Sequence, residues 1–393
     1  MAFGKLGAGG RGFGKEGSVL LGGSASLGAF TSNVKASNTS NFRSVYRANT
    51  RNTRVAIIGD STDRGQSFGV GTSQATNAWP MQLASALQTA GVNAGAQNVW
   101  CDGGSWGQAQ TIANFLTGDA RCGVTGAWAL GSGKSPGGNA FACTATGTMT
   151  FLPQGNFDTV EVYWRDGALG RNITVQIGSD TPVAINSTGP TQLAMTPVTA
   201  VGGVGHQTIT LTWVAGSAGA LGISCYDSTR KEVTVWNWGI CGGTSTNMVD
   251  NSDTAVGRLA CMTAAKTKPD LAIVEGGVIN DWRTSLDVTT VTIPNLTSMV
   301  TTLKGGGSDV ILRVPNFDNG SAGLTAQQQN YVNAMYQVSA AQNVGIIDIR
   351  KKWVSYANAV TNGWNTASDA VHPTAAGYVD IGNVVRDVIL AIK

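Results

Sequence analysis

The chain has 393 residues, of which 42% are hydrophobic and only 12% are charged, against about 25% charged residues in typical globular domains. This composition excludes a largely disordered chain, and the absence of any run of about 18 apolar residues excludes a membrane-spanning helix. With six cysteines that form no Cys-x-x-Cys pair and only two histidines, the sequence predicts no metal site and no cofactor.

The first 50 residues predict a glycine-rich, basic N-terminal arm. Ten of the first 28 residues are glycine, and residues 1–54 carry a formal charge of +7, although the whole chain carries +3. The stretch lacks the apolar segment of a classical signal peptide. It has little apolar surface with which to order itself, so we expect a neighbouring subunit or a particle surface to hold it. Its scattered charges favour a solvated arm or an assembly contact over binding of nucleic acid.

From Arg54 onwards the chain predicts alternating strands and helices. The apolar run RVAIIGD is typical of a buried strand, and the helix after it has Pro80 in its first turn and ends near Gly91. Further predicted strands are QNVW (97–100), VTVWNWG (233–239), DLAIVEGG (270–277), DVILRVPN (309–316) and VGIIDIR (344–350). Helices are predicted near 253–266, 296–303, 325–341 and from 374. Short apolar strands between helices indicate an α/β domain whose parallel sheet is covered on both faces.

Residues 125–231 follow a different pattern. Segments such as FDTVEVYWRD and HQTITLTWV alternate apolar and polar residues, with turns every 8–12 residues and no helical period. We interpret this region as an all-β sandwich inserted into the α/β domain, which then comprises residues 51–124 and 232–393. Insertion at a loop costs the host domain little free energy when the two ends of the insert lie close together.

Ser61 directly follows the first predicted strand, and the partners that a nucleophilic serine needs lie far along the chain. Asp369 precedes His372 by three residues on one short loop before the last helix. A carboxylate so placed can orient the imidazole, which then takes the proton of the serine. Two plainer interpretations are that Ser61 is an ordinary turn residue and that His372 only caps the helix. We predict Ser61, Asp369 and His372 as catalytic residues.

These motifs resemble the GDSL/SGNH hydrolase superfamily. The chain carries Gly59-Asp60-Ser61 with Gly65, then Asn280-Asp281, and finally the block Asp369 to His372 in the order that the superfamily has them. The resemblance covers about 54–120 and 232–393, and it implies a flavodoxin-like, three-layer αβα fold with the activity of a serine esterase. An inserted β-sandwich is a pattern met in carbohydrate-active members.

The resemblance also implies the donors of an oxyanion hole, namely the N–H groups of Ser61 and Gly242 and the side chain of Asn280. Gly242 fits the Asn-x-Gly-x-x-Gly pattern in VWNWGICGG, whereas Gly103 and Gly104 are the alternatives. The superfamily usually has Gly-x-Asn-Asp, but two residues separate Gly277 from Asn280 here, so either the loop bulges or Val278 replaces the glycine.

The function predicted from the sequence is deacetylation of a cell-surface or other polysaccharide by a serine esterase. We expect the inserted sandwich to bind the glycan, with Tyr163 and Trp164 as candidate sugar-binding residues. The alternative, which the alternating pattern favours, is that most aromatic residues of this region belong to its core. The predicted arm favours an extracellular or virus-particle location, with virion neighbours or copies of the chain as partners. We expect neither nucleic acid nor a membrane as a partner. The alternatives are a structural or receptor-binding virion protein on an esterase fold and a hydrolase of short-chain or lipid esters.

Overall fold

The computed structural model describes residues 28–66, 74–101, 111–131, 135–167, 170–252, 256–319 and 325–393. Two hydrogen-bonded sheets, which we call the central sheet and the inserted sheet, organise these residues. Among the helices described, none combines the length and the apolar character needed to cross a bilayer.

The strands, in chain order, are Thr31–Ser32 (β1), Thr53–Gly59 (β2), Ala94–Gly95 (β3), Asn98–Trp100 (β4), Cys122–Gly131 (β5), Ala140–Phe151 (β6), Thr159–Asp166 (β7), Asn172–Ile177 (β8), Val183–Asn186 (β9), Gln192–Thr199 (β10), Ile209–Ala215 (β11), Ala218–Tyr226 (β12), Val233–Gly239 (β13), Leu271–Val274 (β14), Asp309–Val314 (β15) and Gly345–Asp348 (β16).

The α-helices are Ser40–Ala48 (α1), Ser61–Arg64 (α2), Gln74–Asn77 (α3), Trp79–Thr89 (α4), Ile112–Gly118 (α5), Ser245–Met248 (α6), Arg258–Thr263 (α7), Val278–Arg283 (α8), Ile293–Gly305 (α9), Thr325–Gln342 (α10), Ile349–Trp353 (α11), Tyr356–Thr361 (α12) and Ala375–Ile392 (α13). A short 3₁₀ helix spans Ala36–Asn38, and a π-helical turn spans Val288–Thr292.

The central sheet has the strand order β1-β16-β15-β14-β2-β13-β3 and is parallel except for β1 at its edge. Its five longer strands, β2, β13, β14, β15 and β16, are therefore arranged in the order 2-1-3-4-5. This is the flavodoxin-like order, and it confirms the predicted α/β fold. The order reverses around β2, so the carboxyl ends of β2, β13 and β14 meet where ligands bind in such folds.

Both faces of the central sheet are covered, as alternate residues of β2 show. Val55 and Ile57 are fully buried and pack in one apolar core with helices α1, α4 and α13. Ala56 and Ile58 point to the other face and share a core with α9 and α10. Strands buried on both faces need the near-continuous apolar sequence that predicted β2.

The inserted sheet is antiparallel throughout, with the order β10-β7-β12-β6-β11-β8-β9 and with β4 and β5 added beside β12 and β6. This confirms an all-β insertion. It agrees only in part with a two-sheet sandwich, because the nine strands form one continuous sheet. Strands β6 and β12 each pair with three others, so that the sheet folds over an apolar core of its own. Strand β4, predicted as part of the α/β alternation, pairs with β12 instead.

An aromatic cluster joins the inserted sheet to the central sheet. Trp100 of β4 contacts Tyr163 of β7 and Trp236 and Trp238 of β13, with ring centroids 4.9, 5.6 and 5.5 Å apart respectively. The side-chain amide of Asn98 adds a hydrogen bond of 2.7 Å to the carbonyl of Val235. The two sheets therefore share buried surface.

The predicted arm of residues 1–50 extends too far along the chain. Thr31 and Ser32 pair with β16, and the fully buried ring of Phe42 belongs to the core beneath the central sheet. The N–H of Phe42 also donates to the carboxylate of Asp309 at 2.7 Å. Residues 28–50 are thus part of the α/β domain, and residues 1–27 lie outside the described residues.

Candidate active site

Ser61 is the first residue of the short helix α2, directly after the turn that follows β2. The carboxylate of Asp60 caps this helix, since it accepts hydrogen bonds from the N–H and the hydroxyl of Thr62 at 2.8 and 2.9 Å. A side chain at Gly59 would place its Cβ 1.8 Å from the carboxylate of Asp63, which explains the glycine. The helix ends at Gly65 with a φ of 96°, a left-handed conformation that glycine adopts without strain. The Gly-Asp-Ser motif is therefore a compact strand-to-helix turn.

The structure brings Ser61, His372 and Asp369 together. The hydroxyl of Ser61 lies 2.9 Å from Nε2 of His372, and Nδ1 of His372 lies 2.9 Å from Oδ2 of Asp369. The other oxygen of Asp369 accepts the backbone N–H groups of Val371 and His372, both at 2.9 Å. Asn316, at the end of β15, holds this loop through a 2.7 Å bond to the carbonyl of Val371. The three side chains form one hydrogen-bonded chain across 311 residues of sequence.

The environment keeps Asp369 in its ionised form. Burial opposes ionisation, but the hydrogen bonds from His372 and from the backbone outweigh it and lower the pKa of Asp369. Ser61 is 5% exposed, and the side chain of His372 is 16% exposed. This pair is thus accessible from one side, while a charged carboxylate orients the imidazole from the other.

Gly242 lies in the turn after β13, with a φ of 71°. This turn follows Gly239, where a Cβ would come within 2.4 Å of the backbone nitrogen of Arg64. The end of β13 therefore lies against the helix that begins with Ser61. Within the described residues, the N–H groups of Ser61 and Gly242 have no hydrogen-bond partner. The alternative glycines, Gly103 and Gly104, lie outside the described residues.

Asn280 follows β14 in the first turn of helix α8. Gly276 and Gly277 both adopt left-handed conformations, with φ of 77° and 80°, and the helix begins at Val278. Val278 and Ile279, the two residues between Gly277 and Asn280, are thus the first residues of this helix. A Cβ on Gly277 would lie 2.6 Å from the carbonyl oxygen of Gly243, so this glycine permits the close approach of two turns.

The side-chain nitrogen of Asn280 donates to Oδ2 of Asp60 and to the carbonyl oxygen of Gly243, both at 3.1 Å. An amide nitrogen has two hydrogens, so both are used. Asn280 thereby connects the turn that carries Ser61 to the turn that carries Gly242. The neighbouring Asp281 is buried and accepts the N–H of Ser245 at 2.8 Å.

A buried cluster of charged groups lies beneath the Ser61 turn, and the sequence did not predict it. Asp60, Asp63 and Glu275 have carboxylate oxygens within 4.8 Å of one another, and Arg313 of β15 donates to Asp63 at 2.7 Å. All four side chains are inaccessible to solvent. Trp79 of α4 donates to the same oxygen of Asp63 at 2.6 Å. The sequence feature that could have revealed this cluster is Arg313, which lies inside the apolar run DVILRVPN. A buried arginine requires a partner of opposite charge.

Three closely spaced carboxylates could ligate a cation, but here five of their six oxygens accept hydrogen bonds within the protein, and Oδ2 of Asp63 does not. Arg313 supplies a positive charge beside Asp63, and Glu275 accepts the N–H groups of Gly277 and Ile279 at 2.8 and 3.1 Å. Burial, reinforced by the charge of Asp63, raises the pKa of Asp60 to about 6. Burial likewise raises the pKa values of Asp63 and Glu275. One cation cannot balance three ionised groups, so these carboxylates take up protons at a higher pH than exposed carboxylates do.

The prediction of Tyr163 and Trp164 as sugar-binding residues is wrong. Tyr163 is fully buried in the core shared with the central sheet, and Trp164, 8% exposed, packs in the core of the inserted sheet. Strand β7 is covered on both faces, so neither ring offers a face to a sugar. The hydroxyl of Tyr163 donates to Glu161, and Nε1 of Trp164 donates to Thr196 at 3.0 Å.

Comparison with known proteins finds one family model that matches part of the chain. The sequence model of the GDSL-like Lipase/Acylhydrolase family matches residues 202–379, a range that contains Gly242, Asn280, Asp369 and His372. The match does not include Ser61, which precedes the insertion. No curated protein matches the chain significantly.

Among solved structures, a peptidoglycan O-acetylesterase superimposes with a TM-score of 0.69 at 17% identity, over 92% of this chain and 98% of that chain. A family two carbohydrate esterase from Cellvibrio japonicus gives a TM-score of 0.32 at 12% identity, over 70% of this chain and 96% of its own. A lipolytic protein of the G-D-S-L family from Desulfitobacterium hafniense DCB-2 gives 0.33 at 17% identity, over 40% and 81%. The first of these likenesses extends through the inserted sheet as well as the central sheet.

Proposed function

We propose, on the premise that the chain belongs to the GDSL/SGNH hydrolase superfamily, that it is an esterase whose reaction is carried by Ser61, His372 and Asp369. The observation that supports this assignment is the unbroken hydrogen-bonded chain from the hydroxyl of Ser61 through His372 to Asp369, with both steps at 2.9 Å. The serine end of this hydrogen-bonded chain lies at the carboxyl end of β2, where the strand order of the central sheet reverses.

In this mechanism Nε2 of His372 takes the proton of Ser61 while the serine oxygen attacks the ester carbonyl. The imidazolium is stabilised by the ionised Asp369, and it then protonates the departing alcohol. Water, activated by the same imidazole, attacks the acyl-enzyme and releases the acid. Asp369 remains ionised throughout, in keeping with its lowered pKa.

The negative oxygen of the tetrahedral intermediate requires donors that are not already in use. The N–H groups of Ser61 and Gly242 meet this requirement in the described part of the chain. Asn280 would donate to the intermediate only in exchange for one of its bonds to Asp60 or Gly243. We therefore assign Asn280 a positioning role in the resting enzyme, since it sets the distance between the two backbone donors.

We further propose an O-acetylated polysaccharide as the substrate. Support comes from the likeness to a peptidoglycan O-acetylesterase, which extends over 92% of this chain and so includes the inserted sheet. Acetyl esters of sugar hydroxyls suit a site whose serine is reached from the surface. An extracellular location and attachment to a virus particle through the N-terminal arm stay predictions.

The test is a panel of aryl esters from acetyl to octanoyl, together with O-acetylated peptidoglycan and acetylated xylan. We expect fastest turnover with acetyl esters and release of acetate from at least one polymer. Ser61→Ala and His372→Gln should each lower kcat by about 10³-fold or more. His206→Gln is the matched control, since the other histidine of the chain only bonds the carbonyl of Pro153 at 2.7 Å.

Near-normal turnover by Ser61→Ala on every active substrate would overturn the assignment of the nucleophile. A preference for octanoyl over acetyl esters would instead identify a lipid-ester hydrolase. If the intact protein hydrolyses no ester but still binds polysaccharide, the fold serves as a receptor-binding module.

A further inference from the structure

A cavity of about 510 Å³ lies between the two sheets, at the opposite end of β2 from Ser61. Arg54 and Thr234 line it from the amino ends of β2 and β13, and Glu161, Ser224 and Tyr226 line it from the inserted sheet. Ligand sites typically occupy 300–1,000 Å³ and often lie between domains. Since β2 spans Thr53–Gly59 at about 3.3 Å per residue, the cavity is roughly 20 Å from the nucleophile.

The lining of this cavity has an excess of positive charge. It contains Arg51, Arg54, Lys231 and Lys268 but one carboxylate, that of Glu161. Arg54 pairs with Glu161 at 3.2 Å, and Arg51 pairs with the buried Asp270, behind the lining, at 2.6 Å. No ion pair connects Lys231 or Lys268 to any carboxylate among the residues described. Two cations therefore face the cavity without a counter-charge.

The wall around Arg54 is held in place from several directions. One nitrogen of its guanidinium donates to the carbonyl of Lys266 at 3.0 Å, another contacts Glu161, and its centre lies 5.0 Å above the ring of Trp236. The hydroxyl of the buried Tyr163 fixes Glu161 in turn. A ligand would meet side chains that are already ordered, which lowers the entropy cost of binding.

The uncharged part of the lining suits hydroxyl groups and a ring. Thr50, Asn52 and Thr263 contribute polar side chains, and the half-buried Tyr226 contributes an aromatic ring. Ser224, whose hydroxyl accepts a hydrogen bond from Trp236 at 3.1 Å, adds a further polar side chain to the lining. We propose that this cavity binds a saccharide that carries a carboxylate or a phosphate group, with Lys231 and Lys268 neutralising the anion.

Binding of three small probes tests the proposal without depending on the esterase assignment. Glucose, glucuronic acid and glucose 6-phosphate differ in charge but share a sugar ring, and ligand-observed NMR titration of the full chain reports their affinities. We expect at least one of the two anionic sugars to bind at least tenfold more tightly than glucose. The preferred one identifies a carboxylate or a phosphate as the recognised group.

The variant Lys231→Gln/Lys268→Gln should weaken binding of the anionic sugar by about tenfold or more, because each lost charge-assisted contact contributes substantially to affinity. Lys35→Gln/Lys351→Gln is the matched control, since it removes the same charge from residues outside the lining. Equal melting temperatures confirm that both variants fold. Glucose binding as tightly as the anionic sugars, no probe binding at tens of millimolar, or an equal loss in the control would each overturn the proposal.

A second measurement connects the cavity to the proposed esterase. On an acidic acetylated polymer, the double variant should raise KM severalfold and leave kcat/KM on a small aryl acetate unchanged. A fall in activity on the aryl acetate would show that the cavity supports the Ser61 site structurally, which contradicts a separate binding site. If the unsubstituted protein hydrolyses neither substrate, the esterase assignment is wrong, but the result of the binding experiment still stands.

Discussion

Replacing Arg313 with methionine tests the buried charge cluster beneath the Ser61 turn. Arg313 is the cation that contacts the cluster of Asp60, Asp63 and Glu275 directly, with a 2.7 Å bond to Asp63, and both members of that pair are inaccessible to solvent. Removing one partner of a buried ion pair typically costs 3–5 kcal/mol, because the other charge remains buried without compensation. We expect Arg313→Met to lower the free energy of unfolding by about that amount near pH 8.

The same reasoning gives the direction of the pH dependence. Without the guanidinium, the three carboxylates can be accommodated only by taking up protons, and burial already raises the pKa values of all three. A carboxylic acid whose pKa is raised by folding stabilises the protein fully below its unfolded pKa and loses that stabilisation as the pH rises. The cost of Arg313→Met should therefore shrink as the pH falls from about 8 to about 5.

Urea unfolding followed by circular dichroism measures both effects. Arg386→Met is the matched control, because Arg386 pairs with Asp387 at the surface and such pairs contribute about 0–1 kcal/mol. Asp63→Asn, which removes a carboxylate and keeps its shape, should be milder than Arg313→Met. A cost below about 1 kcal/mol for Arg313→Met, or the same cost at both pH values, would refute the charge balance described for the cluster.

Three further predictions concern other parts of the molecule. Burial raises the pKa of Glu232 to about 7, so the ionised side chain destabilises the fold at high pH. Glu232→Gln should therefore stabilise the protein by on the order of 2 kcal/mol near pH 9 and have little effect near pH 5, as measured by thermal unfolding at both pH values. Phe42→Ala should lower the free energy of unfolding, measured in urea, by about 3–5 kcal/mol, because the ring is fully buried. An unchanged free energy would show that Phe42 belongs to a free arm. Asn280→Ala should lower kcat on aryl acetate by about 10²-fold at little change in KM, and an unchanged kcat would exclude its positioning role.

The parts of the fold that local sequence determines were predictable. Strands β2, β14 and β15 are apolar runs because both faces of the central sheet are covered, and the turn residues after them mark its carboxyl edge. The Gly-Asp-Ser and Asp-to-His blocks were recognisable because a strand-to-helix turn and a shared loop constrain their residue types. The structure places Ser61, His372 and Asp369 within hydrogen-bond distance, although their catalytic roles stay predictions.

The features that depend on distant segments were not predictable. Alternation along β7 suggested one exposed face, but Tyr163 and Trp164 are both buried because the inserted sheet packs against the central sheet on one side and its own core on the other. Phe42 lies in a polar, basic stretch, and only β2 and its neighbours provide the pocket for its ring. Likewise, Asp63 gave no local sign that its partner would be Arg313, 250 positions away.

The position of β2 between β13 and β14 has a consequence for biosynthesis. While the chain leaves the ribosome, β2 emerges early, but both strands that flank it emerge only after the whole inserted sheet; Arg54, for example, contacts Asp270 at a separation of 216 residues. All nine strands of the inserted sheet precede β13 in the chain, so they can pair with one another before the central sheet is complete. Long-range parallel pairing is slow by comparison. His372 follows Ser61 by 311 residues and is therefore synthesised much later. On the mechanism proposed above, incomplete chains released before that point would carry Ser61 without its base, so we expect hydrolytic activity only in chains that extend past residue 372.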